Sequence, residues 1–221
     1  MDFKNLTNKE IISCHLDLLH DYDKNTTVFS SLTAALRDAR QNTGRDIDTG
    51  QSSNSAEEHK LANWSGAICY LIILDQVGKC YKPRTDPRYS DLNSIQRSLK
   101  YYTNLSDPEI GVIYALRNAF AHDYSISNIN EKNPLLQHHF TLLGHRDSEF
   151  IKLPKNNWKG YQDKKTLDNM TYISLPSLGY LIEEVYKEIL RINRTEGLEV
   201  ILKGGTKEIQ TRYLQFIYTV K

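Results

Sequence analysis

The segment SDPEIGVIYALRNAFAH, Ser106 to His122, decides the fold. Ser106 with Glu109 three residues on is a capping box, and Pro108 sits in the first turn, where its missing N–H costs nothing. Ile110, Ile113, Leu116 and Phe120 then recur at helical spacing, which predicts a helix over 107–122 with that stripe facing a core. Arg117 and His122 fall in its last turn and a half, bordering the core without belonging to it.

Upstream the same theme repeats. Thr7 and Glu10 form another capping box, and Ile11, His15, Leu18 and Tyr22 predict a first helix. A second is predicted from Thr26 or Thr27, with Val28, Leu32, Leu36 and Ala39 on one stripe and a stop at Asn42, Thr43 and Gly44. From Asp46 to Glu58 the only large apolar residue is Ile47, a composition expected to form a mobile loop. Leu61 to Val77, with Trp64, Ile68, Leu71 and Ile72, reads as the most buried helix, stopping at Gly78. Pro83 and Pro87 mark a turn before an amphipathic helix carrying Leu92, Ile95, Leu99 and Tyr102.

Downstream the character changes. His138 to Leu143 and Glu149 to Leu153 are strand-like and separated by Gly-His-Arg-Asp-Ser, which predicts a hairpin; Thr171 to Leu175 suits a third strand. A helix follows from near Pro176 with Leu178, Leu181, Val185, Ile189 and Ile192 on one face, then a short strand and one more helix from Glu199. The expected fold is mainly α: an up-and-down helical bundle over 1–130, with a β-hairpin and a further helix over 131–221 packed on the same domain.

The chain has 221 residues, 39% apolar, with 28 Lys and Arg against 27 Asp and Glu, so no overall basic field would hold bulk nucleic acid. Any RNA contact must be local. Cys14, Cys69 and Cys80 are an odd set without a close pair, which fits neither a disulfide framework nor a zinc knuckle and points to a reducing cytoplasm. The longest apolar run, Ala67 to Leu74, is far short of a membrane span, and Met-Asp-Phe-Lys lacks a secretory layout.

Cleaving RNA without a metal needs a base for the 2′-hydroxyl, a cation for charge building on the phosphorus oxygens, and an orienting hydrogen bond. His122, Arg117 and Asn118 supply those three types, with His122 as the base. At roughly 100° per residue Arg117 and His122 point about 140° apart, whereas Asn118 and His122 share a face. Either the last turn loosens, or two such helices from two subunits share their groups across a two-fold axis. The competing reading of both cations is a C-terminus that answers the helix dipole.

The stretch Leu116-Arg117-Asn118-Ala119-Phe120-Ala121-His122 resembles the Arg, polar residue, three spacers, His signature of the HEPN superfamily, which includes toxins, abortive-infection proteins and the nuclease domains of type VI CRISPR effectors. The resemblance implies a HEPN-like helical bundle that dimerises so that two motifs compose one RNA-cleaving cleft, with Arg117, Asn118 and His122 catalytic and no cofactor. Its implied role is a toxin or antiviral-defence effector. Asp123 and Tyr124 extend the match: Arg, four residues, His, any residue, Tyr resembles the HepT toxins, whose tyrosine is modified by a partner nucleotidyltransferase. That implies a regulatory Tyr124 and an antitoxin or nucleotidyltransferase partner. The matched stretch is Leu116 to Tyr124 plus a helical frame over 1–126; Lys132 onward has no counterpart. The alternative is a non-catalytic module of the same kind that binds RNA, a nucleotide or a protein.

Lys152, Lys155, Lys159, Lys164 and Lys165 surround Trp158 and Tyr161, a mix that suits phosphate tracking and base stacking and equally suits a solvated loop; Lys155, Trp158, Lys159 and Tyr161 are the RNA-binding candidates. His138, His139 and His145 lack a Cys or carboxylate to complete a metal set. Lys203-Gly204-Gly205-Thr206-Lys207 lacks the spacing of a Walker motif and reads as a turn. The cysteines sit in apolar helical contexts, as core rather than nucleophiles.

Overall fold

The computed structural model describes residues 6–18, 21–23, 26–52, 61–147 and 149–218. Seven α-helices lie among them: α1 (Asn8–Leu16), α2 (Ser31–Asn42), α3 (Trp64–Cys80), α4 (Ser94–Tyr102), α5 (Asp107–Asn118), α6 (Leu175–Thr195) and α7 (Gly205–Tyr213). Short strands connect or flank them: β1 (Asp21–Asp23), β2 (Thr26–Ser30), β3 (Tyr81–Pro83), β4 (Ser127–Asn128), β5 (His138–Leu143), β6 (Ile151–Lys152), β7 (Thr171–Ser174), β8 (Leu198–Val200) and β9 (Leu214–Tyr218). The protein is mainly α.

Helix α3 is the hub, packing against α2, α4 and α6. Tyr70, Leu71, Ile73, Leu74 and Val77 are fully buried on it, and one apolar core runs from Ile11 to Ile209 through both halves of the chain. Ile72 departs from expectation: it points out of that core and is 43% exposed. Gly78 is not the helix stop, because α3 runs on to Cys80. A Cβ there would collide with the Ser94 carbonyl oxygen and lie 2.7 Å from Ser98 N, so glycine is what lets the α4 backbone cross this close.

Three other boundaries move for identifiable reasons. The run Thr26-Thr27-Val28 is β-branched, and the chain from Thr26 to Ser30 forms a strand antiparallel to β9 rather than the start of a helix. Ser30 then caps α2, accepting from Leu32 N at 3.2 Å and Thr33 N at 3.4 Å. The first helix ends at Leu16, whose carbonyl accepts from the Tyr186 hydroxyl of α6 at 2.6 Å, and Tyr22 belongs to β1.

The hairpin expected from His138 to Leu153 is not a direct pair. Sheet order is β4-β5-β7-β6, with β7 parallel to β5 and antiparallel to β6. Ser174 at the end of β7 fixes the intervening loop: its N–H donates to Phe150 O at 3.1 Å and its Oγ to His145 O at 2.8 Å. Strands β3 and β8 form a two-stranded piece, and β9 joins the C-terminal segment to β2.

The Asp46–Glu58 loop is fixed where it is described. The Arg45 and Ser52 backbones form an antiparallel β-bridge, the Arg40 guanidinium donates to Ile47 O at 2.7 Å and Asp48 O at 2.9 Å, and Arg45 Nη1 donates to Gly50 O at 3.1 Å. Composition alone missed these long-side-chain clamps; residues 53–58 lie outside the described residues. Behind the clamp, Arg40 and Glu183 form a buried bidentate pair, Nε to Oε1 at 2.9 Å and Nη2 to Oε2 at 2.7 Å, joined by the Tyr70 hydroxyl at 2.8 Å. This network ties α2, α3 and α6 together.

Candidate functional site

The capping box that opens α5 forms as read, with the Glu109 carboxylate accepting from Ser106 N at 2.8 Å and Ser106 Oγ at 2.6 Å. Ile110, Ile113, Leu116 and Phe120 are buried. The α-helix stops at Asn118, however, and Ala119–Asp123 form a single π turn. Wider turns lower the angular step per residue, so residues five apart, such as Arg117 and His122, lie closer in direction than on an ideal α-helix. π turns of this kind concentrate at functional sites.

Tyr124 closes the turn with φ 48° and ψ 42°, a left-handed conformation usually left to glycine. Strain on the order of 1 kcal/mol is involved. Ser125 N donates to Ala119 O at 3.0 Å and Tyr124 N to Phe120 O at 3.1 Å, so the last carbonyls are answered. An aromatic cluster holds the ring: Trp64 stacks on Phe120 with centroids 5.4 Å apart and meets Tyr124 edge-on at 5.5 Å. Tyr124 is nonetheless 54% exposed.

The turn brings Asn118 and His122 into one cleft of about 600 Å³, shared with Asp123, Ser125, Ser127 and Lys165. His122 is exposed there. Arg117 does not line it. Its Nη2 donates to Asp75 Oδ2 of α3 at 2.7 Å, and its Nη1 reaches the Asn118 Oδ1 at 3.3 Å. Asp75 also accepts a short hydrogen bond from Ser94 Oγ of α4. The base and the orienting amide therefore share a cleft, while the guanidinium is anchored beside it, with side-chain exposures of 31% for Arg117 and 28% for Asp75.

Comparison with family models, curated proteins and solved structures yields no match to this chain. Function must be read from the residues themselves.

The lysine-rich segment separates into unequal parts. Trp158 is only 1% exposed, so it has no free face for a base: its Nε1 donates to Tyr161 O at 2.9 Å and its ring meets His139 edge-on at 5.2 Å. Tyr161 is 59% exposed with Lys164 Nζ 5.5 Å from its centroid. Lys159 is exposed, and Lys155 is exposed but paired with Asp168 at 3.1 Å. Of the four RNA-binding candidates, none lines the cleft; Lys165, from the same run, does.

The other sequence features have local explanations. His138 and His139 are buried in β5, with Nδ1 of His138 2.9 Å from Thr171 Oγ1 and Nε2 of His139 2.6 Å from Asn169 Oδ1, and burial pushes the His138 pKa down. Among the described residues no group of three or more His, Cys, Asp or Glu could hold a metal ion. Burial pushes the Cys14 thiol up to about 11 and the Cys80 thiol up to about 12, far from thiolate reactivity. A cavity of about 1020 Å³ lies between the starts of α1 and α7 and includes the Gly204-Gly205 turn, but Glu196 and Glu199 line it alongside Lys9, Arg84 and Lys207. There Glu208 already accepts from Gly204 N at 3.0 Å, so the glycine turn is not an open phosphate cradle. No described helix is long and apolar enough to cross a membrane.

Sequence reading missed Asp75 and the placement of Lys165. Asp75 had a signal: it is the single carboxylate in the apolar helix Trp64–Cys80, and a carboxylate in such a setting needs a cation. Lys165 had none, because its approach to His122 depends on the path of a loop more than forty residues away in sequence.

Proposed function

We propose that this protein is a metal-independent endoribonuclease built on a HEPN-like helical bundle, with Arg117, Asn118 and His122 as its catalytic residues. The observation that carries the reading is that Asn118 and His122, flanking and within the π turn, line one open cleft. His122 Nε2 or Nδ1 takes the proton of a ribose 2′-hydroxyl. The 2′-oxygen forms a bond to phosphorus, the bond from phosphorus to the 5′-oxygen breaks, and water returns a proton to the leaving oxygen. The products are a 2′,3′-cyclic phosphate and a 5′-hydroxyl. Asn118 orients the phosphate, and a cation carries the charge that grows on its oxygens.

Two copies related by a two-fold axis would bring both His122 residues and both Arg117 residues around one phosphodiester. In this reading the protein is a cytoplasmic toxin or antiviral-defence effector with RNA as substrate, and Tyr124, exposed at the rim, is the residue an antitoxin or partner nucleotidyltransferase would act on. Incubation with RNA in EDTA tests the chemistry. Wild type is expected to leave 2′,3′-cyclic phosphate ends and His122→Ala to lose at least a hundredfold in rate; equal cleavage by both, or none by wild type at concentrations where it is dimeric, removes the reading.

One observation favours the non-catalytic alternative. Arg117 is held by Asp75 as an ordinary ion pair at a helix end would be, and a binding module needs no more than that. A protein that stays monomeric and binds RNA without cutting it would select this alternative.

A further inference from the structure

We infer that Lys165 is a phosphate-binding residue of the His122 cleft, supplied by the second half of the same chain to hold the backbone of a single-stranded RNA. The inference rests on the endoribonuclease reading for its substrate and on separate geometry for its site.

Three features combine at Lys165, and of the lysines in its segment it alone is half-buried. It lines the cleft with Asn118 and His122, and its Nζ lies 3.1 Å from Ser127 Oγ on the same wall. It is half-buried, and no carboxylate among the described residues pairs with it; Asp123, which lines the same cleft, forms no ion pair with it. Its ammonium also sits over the Trp158 ring at 5.2 Å. A free surface lysine loses about 2 kcal/mol of rotamer entropy when it is fixed on a ligand. Lys165 is already ordered by a ring contact and a hydroxyl, so less of that cost remains for binding.

The segment that carries it is pinned in turn. Asn169 Oδ1 accepts from Thr166 N at 2.9 Å and from His139 Nε2 at 2.6 Å, while Asn169 Nδ2 donates to Lys164 O at 2.9 Å. At the other end Gly160 has φ 86°, and a Cβ there would come within 2.6 Å of Gln137 Oε1. The buried Trp158 ring therefore meets a cation rather than a base. Lys165 also resolves the gap left by Arg117. The guanidinium on Asp75 does not line the cleft, and Lys165 places a positive charge there within a single chain.

The test uses the full chain and a short 2′-O-methyl oligonucleotide, which carries backbone phosphates but has no 2′-hydroxyl to attack. Fluorescence anisotropy is read for wild type, His122→Ala, Lys165→Met and Lys165→Arg over a range of salt, alongside cleavage of an all-ribose strand. Met keeps the apolar stem on Trp158, and near-UV circular dichroism checks that the ring stays packed. Lys165→Met is expected to weaken binding about tenfold at low salt and to lower the slope of log K against log salt by about 0.7, the share of one single-strand phosphate contact. Lys165→Arg should retain most of the affinity, and cleavage by Lys165→Met should show a raised KM. Unchanged affinity and salt slope in Lys165→Met, or no binding by wild type, overturns the inference. Lys165-dependent binding with no cleavage by wild type leaves this site standing and removes the nuclease reading. Cleavage that depends on His122 and ignores Lys165 does the reverse.

Discussion

Replacing Glu183 by Gln keeps the shape of the side chain and an acceptor for Tyr70 but removes the charge that faces Arg40. Both side chains are nearly sealed, at 2% exposure for Arg40 and 3% for Glu183, so water cannot replace the lost partner. Breaking a buried pair by removing one member costs about 3–5 kcal/mol, because the remaining ion is left uncompensated. Arg40 keeps its two carbonyl acceptors, Ile47 O and Asp48 O, which places the expected loss near the lower end, about 3 kcal/mol. With a urea slope of about 2.5 kcal/mol per molar, the midpoint should fall by roughly 1 M. The double variant Arg40→Met with Glu183→Leu removes both charges and fills the space with apolar atoms, so it should recover at least half of that loss even though the 46–52 turn forfeits its clamp. Urea unfolding followed by circular dichroism reads Glu183→Gln and, with the singles Arg40→Met and Glu183→Leu, all four corners of the cycle. A loss under about 1 kcal/mol for Glu183→Gln, or a double variant as unstable as the sum of its singles, would refute the claim that this ion pair is desolvated and coupled.

Three further outcomes follow from particular contacts. His15 is fully buried, its Nδ1 2.7 Å from the Tyr81 hydroxyl, and burial holds its pKa down to about 4, with the Gln76 side chain opposing that shift. A depressed folded-state pKa means the unfolded chain takes the proton first, so this contribution is full above about pH 6.5, falls as pH drops toward 4, and amounts to about 3 kcal/mol; urea midpoints that stay flat from pH 7 to 4.5, or that fall equally in His15→Phe, would contradict it. Gly78→Ala drives a Cβ into the α4 backbone at Ser94 and should cost about 3 kcal/mol or more, whereas the half-buried helical control Gly111→Ala, whose Cβ would meet only Leu136 Cδ2 at 3.8 Å, should gain about 0.5–1 kcal/mol; a melting temperature of Gly78→Ala within a degree of wild type would show that the two helices can part. Asp75→Asn removes the anion that holds Arg117 and should cost about 1 kcal/mol, given the partial exposure of both groups, and a loss above 3 kcal/mol would place the pair deeper in the energetics than its exposure allows.

Much of the fold was legible because helices announce their ends locally. The capping boxes at Thr7 and Ser106 and the stripes on α4, α5 and α6 each depend on residues within one or two turns; the boxes formed as read, and the stripes are buried except for Leu92, which precedes α4, and Leu181, which is half-buried on α6. What failed depended on partners far along the chain. Strand β2 has a helix-compatible stripe, and only β9, at the opposite end of the sequence, makes it a strand. The hairpin at His138 was a sound local inference that β7 overrides by inserting between its two arms. Gly78 carries the same lesson: a glycine near the end of an apolar run reads as a stop until the crossing helix is in place.

The site divides along the same line. Asn118 and His122 are four residues apart, and their shared face follows from helix geometry alone; the π turn adds width to a relation already present. Arg117 needed a fact the motif does not hold, that Asp75 waits on α3 within reach of its guanidinium. Yet the need for such a partner was inferable. Asp75 in an apolar helix, Arg40 on the buried side of α2 and Glu183 among the apolar residues of α6 are charges that cannot be left alone in a core, and each must meet an opposite charge or a set of carbonyls. Asking of every charge on a buried stripe which group answers it narrows the pairings before any coordinates exist. For these three residues it yields two ion pairs, one that holds three helices together and one that decides where the cation of the motif spends its time. Lys165 escapes that accounting because its partners are a ring and a hydroxyl. A cation ordered without an anion among the described residues is the kind of group that still has a charge to satisfy, and the cleft it lines also holds His122.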